Sequence, residues 1–460
     1  MLVRWRSKSA PSAKGSACYR DKVEGNRRDA GLVRAIGPWG LAASIINVVV
    51  GASIFVVPGA LAASLGFYAP LAFVACAAAV GSVAICFAEG GSRLPTSGGA
   101  YGYIEVAFGP LAGYVAGTLL WFGDVLACGG IAAALADTAV SVLPPRFAAA
   151  AHAVVIVGVI GSIALVNTGG VARGARLINA STMLKLIPLA VFVVAGGSAF
   201  HHANFLRAVT PSYAGLGRAI ILAVFALTGM EISLCASGEV AQPTRTIPRA
   251  LLIAITSVTV LYVAIQVVAQ GILGLSLAQS TVPLADAMAR ISPALRLLML
   301  AGTALSMFGY ISSDLLASPR ILLALARDGL LPRTLGRVHP RTHTPHVAIL
   351  CYAGLAMGFA LSGSFVELAV LSTLATAALY VAGCAAAWKL AHLGVALAGA
   401  PLNFRWLGAA AVTGMGSMMA LIAMGSRAEI LGLFALVSIS VVIYMVQTRR
   451  ANRAPLRDGE

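Results

Sequence analysis

Charged side chains are scarce in this chain, and acidic ones are the scarcest. Only 10% of the 460 residues are Asp, Glu, Lys or Arg, whereas 59% are hydrophobic, and the mean hydropathy is +0.90. A soluble globular protein carries about 25% charged residues on average. The composition therefore excludes an ordinary soluble domain and indicates a protein that lies in a membrane.

Motifs of membrane-embedded enzymes and of metal sites are also missing. W-F-G-D at 121–124 lacks the first glycine of the Gly-x-Gly-Asp motif of intramembrane aspartyl proteases, and neither His-Glu-x-x-His nor Gly-x-Ser-x-Gly occurs. The seven cysteines include no Cys-x-x-Cys pair, which argues against a metal site and against a disulfide framework. We therefore predict a protein that is not an enzyme and that uses no metal or cofactor.

Long apolar runs recur along the chain, and most are long enough to cross the roughly 30 Å of hydrocarbon in a bilayer. They lie near 38–65, 70–90, 110–140, 150–168, 175–199, 215–240, 247–273, 294–326, 346–363, 366–390, 405–425 and 429–446. This pattern predicts an all-α polytopic membrane protein with about twelve transmembrane helices. The membrane domain would occupy 37–446, between an N-terminal tail at 1–36 and a C-terminal tail at 447–460.

Lysine and arginine are distributed unequally between the loops. With an even number of spans, 25 of the 32 basic residues fall on the side of the two termini, six fall on the opposite side, and Lys185 lies within a span. Because cytoplasmic loops carry the excess of basic residues, both termini are predicted to be cytoplasmic. The net charge of +16 is thus a topological signal and not a nucleic-acid-binding surface. The basic tail would anchor this topology, and contact with anionic lipid is an alternative role.

Two apolar spans contain helix-breaking residues where a membrane helix should be continuous. N-V-V-V-G-A-S-I-F-V-V-P-G occupies 47–59, and F-A-L-T-G-M-E-I-S-L occupies 225–234. An interrupted helix survives in hydrocarbon only where it is buried in protein or lines a polar cavity. N–H groups at the start of a half-helix suit a carboxylate, and carbonyls at the end of one suit an ammonium group or a cation. The breaks therefore predict a binding site, with close helix packing at glycine as the structural alternative.

The breaks lie at matching positions in two halves of the chain. Gly229 follows Gly51 by 178 residues, and a unit of five spans would account for this offset. The repeat is inferred from the breaks and their spacing, because the halves show no strong residue identity.

Four motifs resemble the signatures of the amino acid–polyamine–organocation permeases, in the family's order. They are G-A-S-I-F-V-V-P-G at 51–59, F-A-E-G-G-S-R-L-P-T-S-G-G-A-Y-G-Y-I-E-V-A-F-G-P at 87–110, F-A-L-T-G-M-E at 225–231 with G-E-V-A-Q-P-T-R-T-I-P-R-A at 238–250, and S-P-R-I-L-L-A-L-A-R-D-G-L-L-P at 318–332. The similarity extends from about Pro38 through the tenth span. It implies two inverted five-helix repeats, at about 38–199 and 215–390, plus two peripheral helices at about 405–446. It also implies that the substrate is held at the midplane, between the first and sixth spans.

The resemblance implies roles for individual groups at the two breaks. The backbone N–H groups of Ala52 and Ser53 would hold a substrate carboxylate, and the carbonyls of Val49, Phe225 and Thr228 would meet its α-ammonium. Phe225 also falls where the family places an aromatic gate over the substrate, and ordinary packing is the alternative. The predicted substrate-binding residues are thus Val49, Gly51, Ala52, Ser53, Phe225, Thr228 and Gly229.

Lys185 is a buried charge that needs an explanation. It lies eleven residues after Gly174, which places it roughly 16 Å into its span. A lysine there costs on the order of 2.5 to 3.5 kcal/mol without a partner or a wet cavity. Some sodium-independent members of the family carry a fifth-span lysine where sodium-coupled relatives bind their ion. By this resemblance Lys185 would contact carbonyls near Val48 to Gly51 and change protonation during the cycle, with a static acid pair as the alternative.

Four acids in or near the spans are candidates for a role in the site or its gating. Glu231 follows the second break and is a candidate for a second protonatable, gating group or for a brace of the unwound segment. Asp124 and Asp314 could face a cationic substrate side chain, but a helix neighbour is the preferred interpretation for both. Glu89 lies about nineteen residues into its span, near the cytoplasmic interface. We assign it to an inner gate, paired with Arg93 or with a basic loop residue.

The function predicted from these observations is secondary active transport of amino acids by alternating access. Coupling would be independent of sodium, with proton coupling or exchange as the two options. A polyamine or cationic amino acid antiporter is the alternative, and a channel-like facilitator is less favoured.

The loop S-V-L-P-P-R-F at 141–147 has no cysteine, whereas the light-chain branch of the family uses one there to bind a heavy chain, so no such partner is expected. An independent transporter of this kind is expected in a bacterial inner membrane.

Overall fold

The computed structural model describes residues 36–94, 99–141, 143–169, 185–205, 213–234, 240–327, 329–332, 334–342, 344–396 and 401–453. Within these ranges the regular structure is helical, and one isolated parallel bridge joins Ile36 to Val240. Most of the predicted N-terminal tail and the end of the C-terminal tail lie outside the described residues, as do residues 95–98, 238–239 and 328 of the family motifs.

The first half of the chain forms helices that follow the predicted apolar runs. They are α1 (Pro38–Val49), α2 (Ser53–Leu65), α3 (Ala69–Arg93), α4 (Gly99–Phe108), α5 (Pro110–Val140), α6 (Ala148–Thr168), α7 (Leu186–Ser198) and α8 (His202–Phe205). The first run is divided between α1 and α2. The fifth run is described only from Lys185 onward.

The second half continues in the same way. Its helices are α9 (Tyr213–Leu227), α10 (Met230–Leu234), α11 (Pro243–Leu273), α12 (Pro283–Ala289), α13 (Pro293–Ala317), α14 (Pro319–Arg327), α15 (His346–Ser362), α16 (Phe365–His392), α17 (Leu407–Ala423) and α18 (Arg427–Arg453). Each of the twelve predicted runs contains at least one of these helices. In the described residues, eight helical stretches are long and apolar enough to cross a membrane, and four apolar helices are shorter. The prediction of an all-α polytopic membrane protein is confirmed, while the repeat boundaries stay a prediction.

The eighth predicted run is also divided, which the sequence analysis did not predict. The sequence suggested one span over 294–326, but α13 ends at Ala317 and α14 begins at Pro319. Proline has no N–H and its ring obstructs a continuing helix, whereas at the first position of a new helix the missing donor costs nothing. The junction at Ser318 thereby places a hydroxyl group and two helix ends inside the protein.

Burial separates a central set of helices from the periphery. In the most apolar window of each, 89% of α5 is buried inside the protein but only 6% of α18. Helix α16 packs on both α5 and α3, and α17 packs on α16 and α3. The outer position of α18 agrees with its expected peripheral role. Helix α9 of the sixth span packs on α16 and on α2 of the first span.

Candidate functional site

The first span is broken between Val49 and Ser53. Helix α1 ends because the Gly51 N–H turns back to the carbonyl of Val49, at 2.7 Å, instead of bonding Asn47 four residues earlier. Helix α2 begins at Ser53, and within the described residues the N–H groups of Ala52 and Ser53 have no backbone partner. The predicted break is therefore present, and it leaves donors at the start of a half-helix.

The sixth span is broken at Thr228 and Gly229. Helix α9 ends at Leu227 and α10 begins at Met230. Gly229 has a φ of +117°, which side-chain-bearing residues rarely adopt. A Cβ atom on Gly229 would lie 2.9 Å from Cγ1 of Val48. Glycine thus allows the two breaks to touch each other.

A cavity of about 430 Å³ lies between the breaks. This volume includes the open space at the mouth of the cavity. All seven residues predicted to bind the substrate line it, together with Val48, Asp124, Ala127, Ile131, Glu231, Ile232, Tyr310, Ser372 and Thr376. The residues predicted from the sequence thus form the backbone side of the cavity, whereas most of the side chains that face it were not predicted. The binding roles themselves stay predictions.

The carbonyls at the breaks are not equally available. A carbonyl oxygen has two lone pairs, and that of Val49 already accepts hydrogen bonds from the Gly51 N–H and the Tyr262 hydroxyl, at 2.7 and 2.8 Å. The Phe225 carbonyl accepts two from Thr228, from the N–H at 3.3 Å and from the hydroxyl at 2.8 Å. Among the described residues, the carbonyls of Val48 and Thr228 have no hydrogen-bond partner. These two are the better acceptors for a bound ammonium.

Other helices brace the first break with side chains that the sequence analysis did not single out. Tyr262 on α11 binds the Val49 carbonyl, and Ser306 on α13 donates to the Gly51 carbonyl at 2.9 Å. Both partners are more than 200 residues from the break along the chain. In the sequence, Tyr262 and Ser306 could be noticed only as polar side chains in apolar spans. Which group such a side chain binds is decided by how the helices pack.

Lys185 lies immediately before α7 and is only 4% exposed. Its ammonium donates to the carbonyl of Asn47, which has lost its helical partner because the Gly51 N–H bonds Val49 instead. The contact is therefore to the first break, one residue before the predicted stretch Val48 to Gly51. Within the described part of the chain, Lys185 has no ion pair with an acid, so the static-pair alternative has no partner there.

Glu231 lies at the second break and lines the cavity. Its Oε2 atom accepts a hydrogen bond from the Tyr380 hydroxyl at 2.6 Å and from the Gly229 N–H at 3.1 Å. The carboxyl thus satisfies a backbone donor that the unwound segment leaves free, which agrees with the bracing alternative. Its proposed part in protonation and gating stays a prediction.

Glu89 pairs with Arg93 at 2.8 Å, as one of the predicted partners. Its carboxylate also accepts the N–H groups of Asn403 and Phe404, at 3.2 and 3.0 Å. Arg93 in turn donates to the Val395 carbonyl at 3.0 Å and to the Asn403 side chain at 2.7 Å. The pair therefore fastens the end of α3 to the segment between α16 and α17, away from the cavity.

Replacing Glu89 by alanine is expected to destabilise the protein strongly. Arg93 is 4% exposed, and removing one partner of a buried ion pair costs about 3 to 5 kcal/mol. The measurement is the thermal unfolding midpoint of the purified protein. Arg218→Ala is the control, because Arg218 is 43% exposed in its pair with Glu429 and exposed pairs contribute little. Equal midpoints for Glu89→Ala and Arg218→Ala would show that the buried pair of Glu89 and Arg93 does not stabilise the fold more than an exposed pair does.

Asp124 and Asp314 are brought together by the junction between α13 and α14. The Ser318 hydroxyl lies 2.7 Å from Oδ2 of Asp124 and 2.8 Å from Oδ1 of Asp314. The Tyr352 hydroxyl donates to the other oxygen of Asp314. Both acids thus have the helix neighbours that the sequence analysis preferred, but Asp124 also lines the cavity and Asp314 does not.

The comparison with known proteins agrees with this architecture. Residues 36–447 match the amino acid permease family. The chain belongs to this family. An uncharacterised transporter of Mycobacterium tuberculosis is 31% identical to this permease over 350 residues, covering 70% of this chain and 72% of that protein. The family and its transporter relatives identify this permease as an integral membrane transporter and not an enzyme.

The names of two relatives from Bacillus subtilis state what those proteins transport. The methylthioribose transporter is 26% identical over 384 residues, covering 78% of this permease and 83% of the relative. The serine/threonine exchanger is 28% identical over 342 residues, covering 72% and 77%. Since the two names describe different chemical classes, the similarity by itself does not assign a substrate to this permease.

Proposed function

We propose that this permease is a secondary active amino acid transporter that holds the zwitterionic head of its substrate between the two broken helices. The observation that carries the proposal is the convergence of all seven predicted binding residues, from two distant segments, on one cavity. Membership of the amino acid permease family and the similarity to a serine/threonine exchanger support it. Both termini would be cytoplasmic, by the distribution of basic residues.

The head group would lie across the contact between the breaks. Its carboxylate accepts the N–H groups of Ala52 and Ser53, at the positive end of the 13-residue helix α2. Its ammonium donates to the free carbonyls of Val48 and Thr228. Phe225 lines the same cavity and packs edge-on against Phe365, with ring centroids 5.9 Å apart, so a rotation of its ring would open or close access to the site.

Coupling would be independent of sodium. The break in the first span frees the Asn47 carbonyl, and the Lys185 ammonium is hydrogen-bonded to it. A positive charge delivered by the protein itself therefore stands beside the unwound segment, and an external cation is not needed there. The similarity to an exchanger supports exchange as one mode of operation, and a proton-coupled mode would use titratable groups near the cavity.

The test is counterflow in proteoliposomes that hold the purified full-length protein. We expect at least one labelled L-amino acid to enter faster when the vesicles are preloaded with the same unlabelled compound, because a carrier exchanges and a pore does not. The amine obtained by decarboxylation of that amino acid should compete at least about tenfold more weakly, since it forfeits the charge-assisted hydrogen bonds of the carboxylate.

Two results would contradict the proposal. The first is the absence of counterflow with every proteinogenic amino acid. The second is efficient counterflow with methylthioribose or with the decarboxylated amine, because neither carries the carboxylate that the N–H groups of Ala52 and Ser53 are proposed to bind. Vesicles without protein provide the background for each compound.

A further inference from the structure

Two hydroxyl groups face the cavity without a partner. Ser372 and Thr376 are four residues apart on α16 and therefore share one face of the helix. They are 4% and 8% exposed, and both line the cavity. Buried hydroxyls elsewhere, such as those of Thr303 and Thr373, bond the carbonyl four residues earlier. Within the described residues, the Ser372 and Thr376 hydroxyls make no hydrogen bond, so they are available to a ligand.

Asp124 lies on the helix that packs against these hydroxyls. A Cβ atom on the neighbouring Gly123 would be 3.5 Å from the Thr376 hydroxyl oxygen and 3.6 Å from the Ser372 carbonyl oxygen. Helices α5 and α16 are therefore in contact at this level, and Asp124 lines the same cavity as the two hydroxyls. No lysine, arginine or histidine is among the described residues that line it.

The contacts of Ser318 with both acids bear on the protonation of the pair. One hydroxyl proton cannot serve both Asp124 and Asp314, although Ser318 lies within 2.8 Å of each. For both contacts to be hydrogen bonds, one of the two carboxyls has to be protonated and donate to the Ser318 oxygen. The titratable groups that act on the pair from the surrounding helices are Glu231, Cys128, Tyr310 and Tyr352. None of these described groups is a cation, and two buried carboxylates so close are not both ionised without one.

We propose that Asp124, Ser372 and Thr376 bind a positively charged group on the substrate's side chain, and that its arrival releases the proton shared by Asp124 and Asp314. The carboxyl O–H bond breaks, the proton leaves to water, and an ion pair with the substrate cation replaces it. The two hydroxyl oxygens accept further N–H groups. The charge of the site is unchanged overall, so the cation is buried beside a counter-charge that offsets part of its desolvation cost.

The substrate class is therefore amino acids with a cationic side chain. This inference rests on the proposed function, because it extends the head-group site into the remainder of the same cavity. Asp314 and Ser318 act through Asp124 and are positioning residues.

L-Lysine and L-norleucine test the inference, because they differ only in the side-chain ammonium. We expect the wild type to carry lysine in counterflow at least about tenfold better than norleucine, as charge-assisted hydrogen bonds are the strong ones. Asp124→Asn should lower lysine transport by at least about tenfold and leave norleucine within about twofold. Ser372→Ala with Thr376→Ala should lower lysine severalfold. Asp137→Asn, an acid of the same helix α5 that is 53% exposed, should change neither.

Proton release provides a second readout. A pH-indicator dye should report up to one proton released per wild-type protein on lysine binding in weak buffer, and none with norleucine. Lysine binding without proton release would overturn the proton step even if Asp124→Asn failed to fold.

The outcomes separate the two proposals. Equal transport of lysine and norleucine by the wild type, or an equal loss of both in Asp124→Asn, would overturn the side-chain assignment while amino acid transport stands. The absence of counterflow with every amino acid would instead overturn the proposed function.

Discussion

Replacing Gly229 by alanine is expected to reduce the initial rate of counterflow by about 10- to 100-fold. The new Cβ atom would approach Cγ1 of Val48 to 2.9 Å, and Val48 is β-branched, so its side chain has little freedom to move away. The φ of +117° adds backbone strain, of the order of 1 to 3 kcal/mol for a residue other than glycine. The steric contact pushes the two breaks apart, and the backbone strain distorts the second break. The N–H and carbonyl groups that face the substrate are displaced with them.

The matched control is Gly161→Ala. Gly161 lies in α6, and a Cβ atom there would meet nothing within 4 Å, so wild-type transport is expected. The initial rate and the thermal unfolding midpoint should be measured for both variants, to distinguish a local defect from a loss of folding. Wild-type transport by Gly229→Ala would show that the contact between the breaks is not needed.

Replacing Lys185 by alanine is expected to reduce uptake at least about tenfold. The variant leaves the partly buried Asn47 carbonyl without its donor, and a fully buried unsatisfied group costs about 1 to 3 kcal/mol. It also removes the positive charge beside the first break, which the proposed mechanism uses in place of sodium. Uptake by the wild type should be the same in sodium buffer and in choline buffer.

Lys185→Arg separates a fixed charge from a proton carrier. Arginine keeps the charge but does not lose its proton in proteins. If Lys185 changes protonation during the cycle, this variant should be as defective as Lys185→Ala. Near-normal uptake by Lys185→Ala would make the residue merely structural, and strict sodium dependence of the wild type would overturn the role given to it.

Both breaks could be predicted from the sequence because the rule that predicts them is local. The G-A-S segment at Gly51 and the Thr-Gly pair before Glu231 lie at matching positions in two apolar spans, and hydrocarbon allows an interrupted helix only where protein or a cavity satisfies the backbone. The contact of Lys185 with the first break was expected from the resemblance to the permease family. Its position was off by one residue, because the partner is the carbonyl that the turn at Gly51 releases, that of Asn47.

The side chains of the cavity could not be predicted in the same way. Ser372 and Thr376 resemble many other hydroxyl residues in apolar helices, and only the packing of α16 against α5 shows that their oxygens face a cavity. The availability of the Val48 carbonyl, and the loss of that of Val49 to Tyr262, likewise depend on which donors other helices bring to the break. The division of the eighth span at Ser318 follows from Pro319, a local signal that a search for apolar runs ignores.

The sequence by itself determined that this protein lies in a membrane, that two of its spans are interrupted, and that its motifs are those of amino acid permeases. These conclusions depend on hydropathy, helix-breaking residues and motif order, which are properties of contiguous segments. They can be determined without any knowledge of how the helices pack. Only the tertiary structure decided that Asp124 and Asp314, 190 residues apart, share one serine, and which backbone groups remain free for a ligand. Hydrogen bonds act over about 3 Å, so their pairing is set by how distant helices pack and not by the order of residues along the chain.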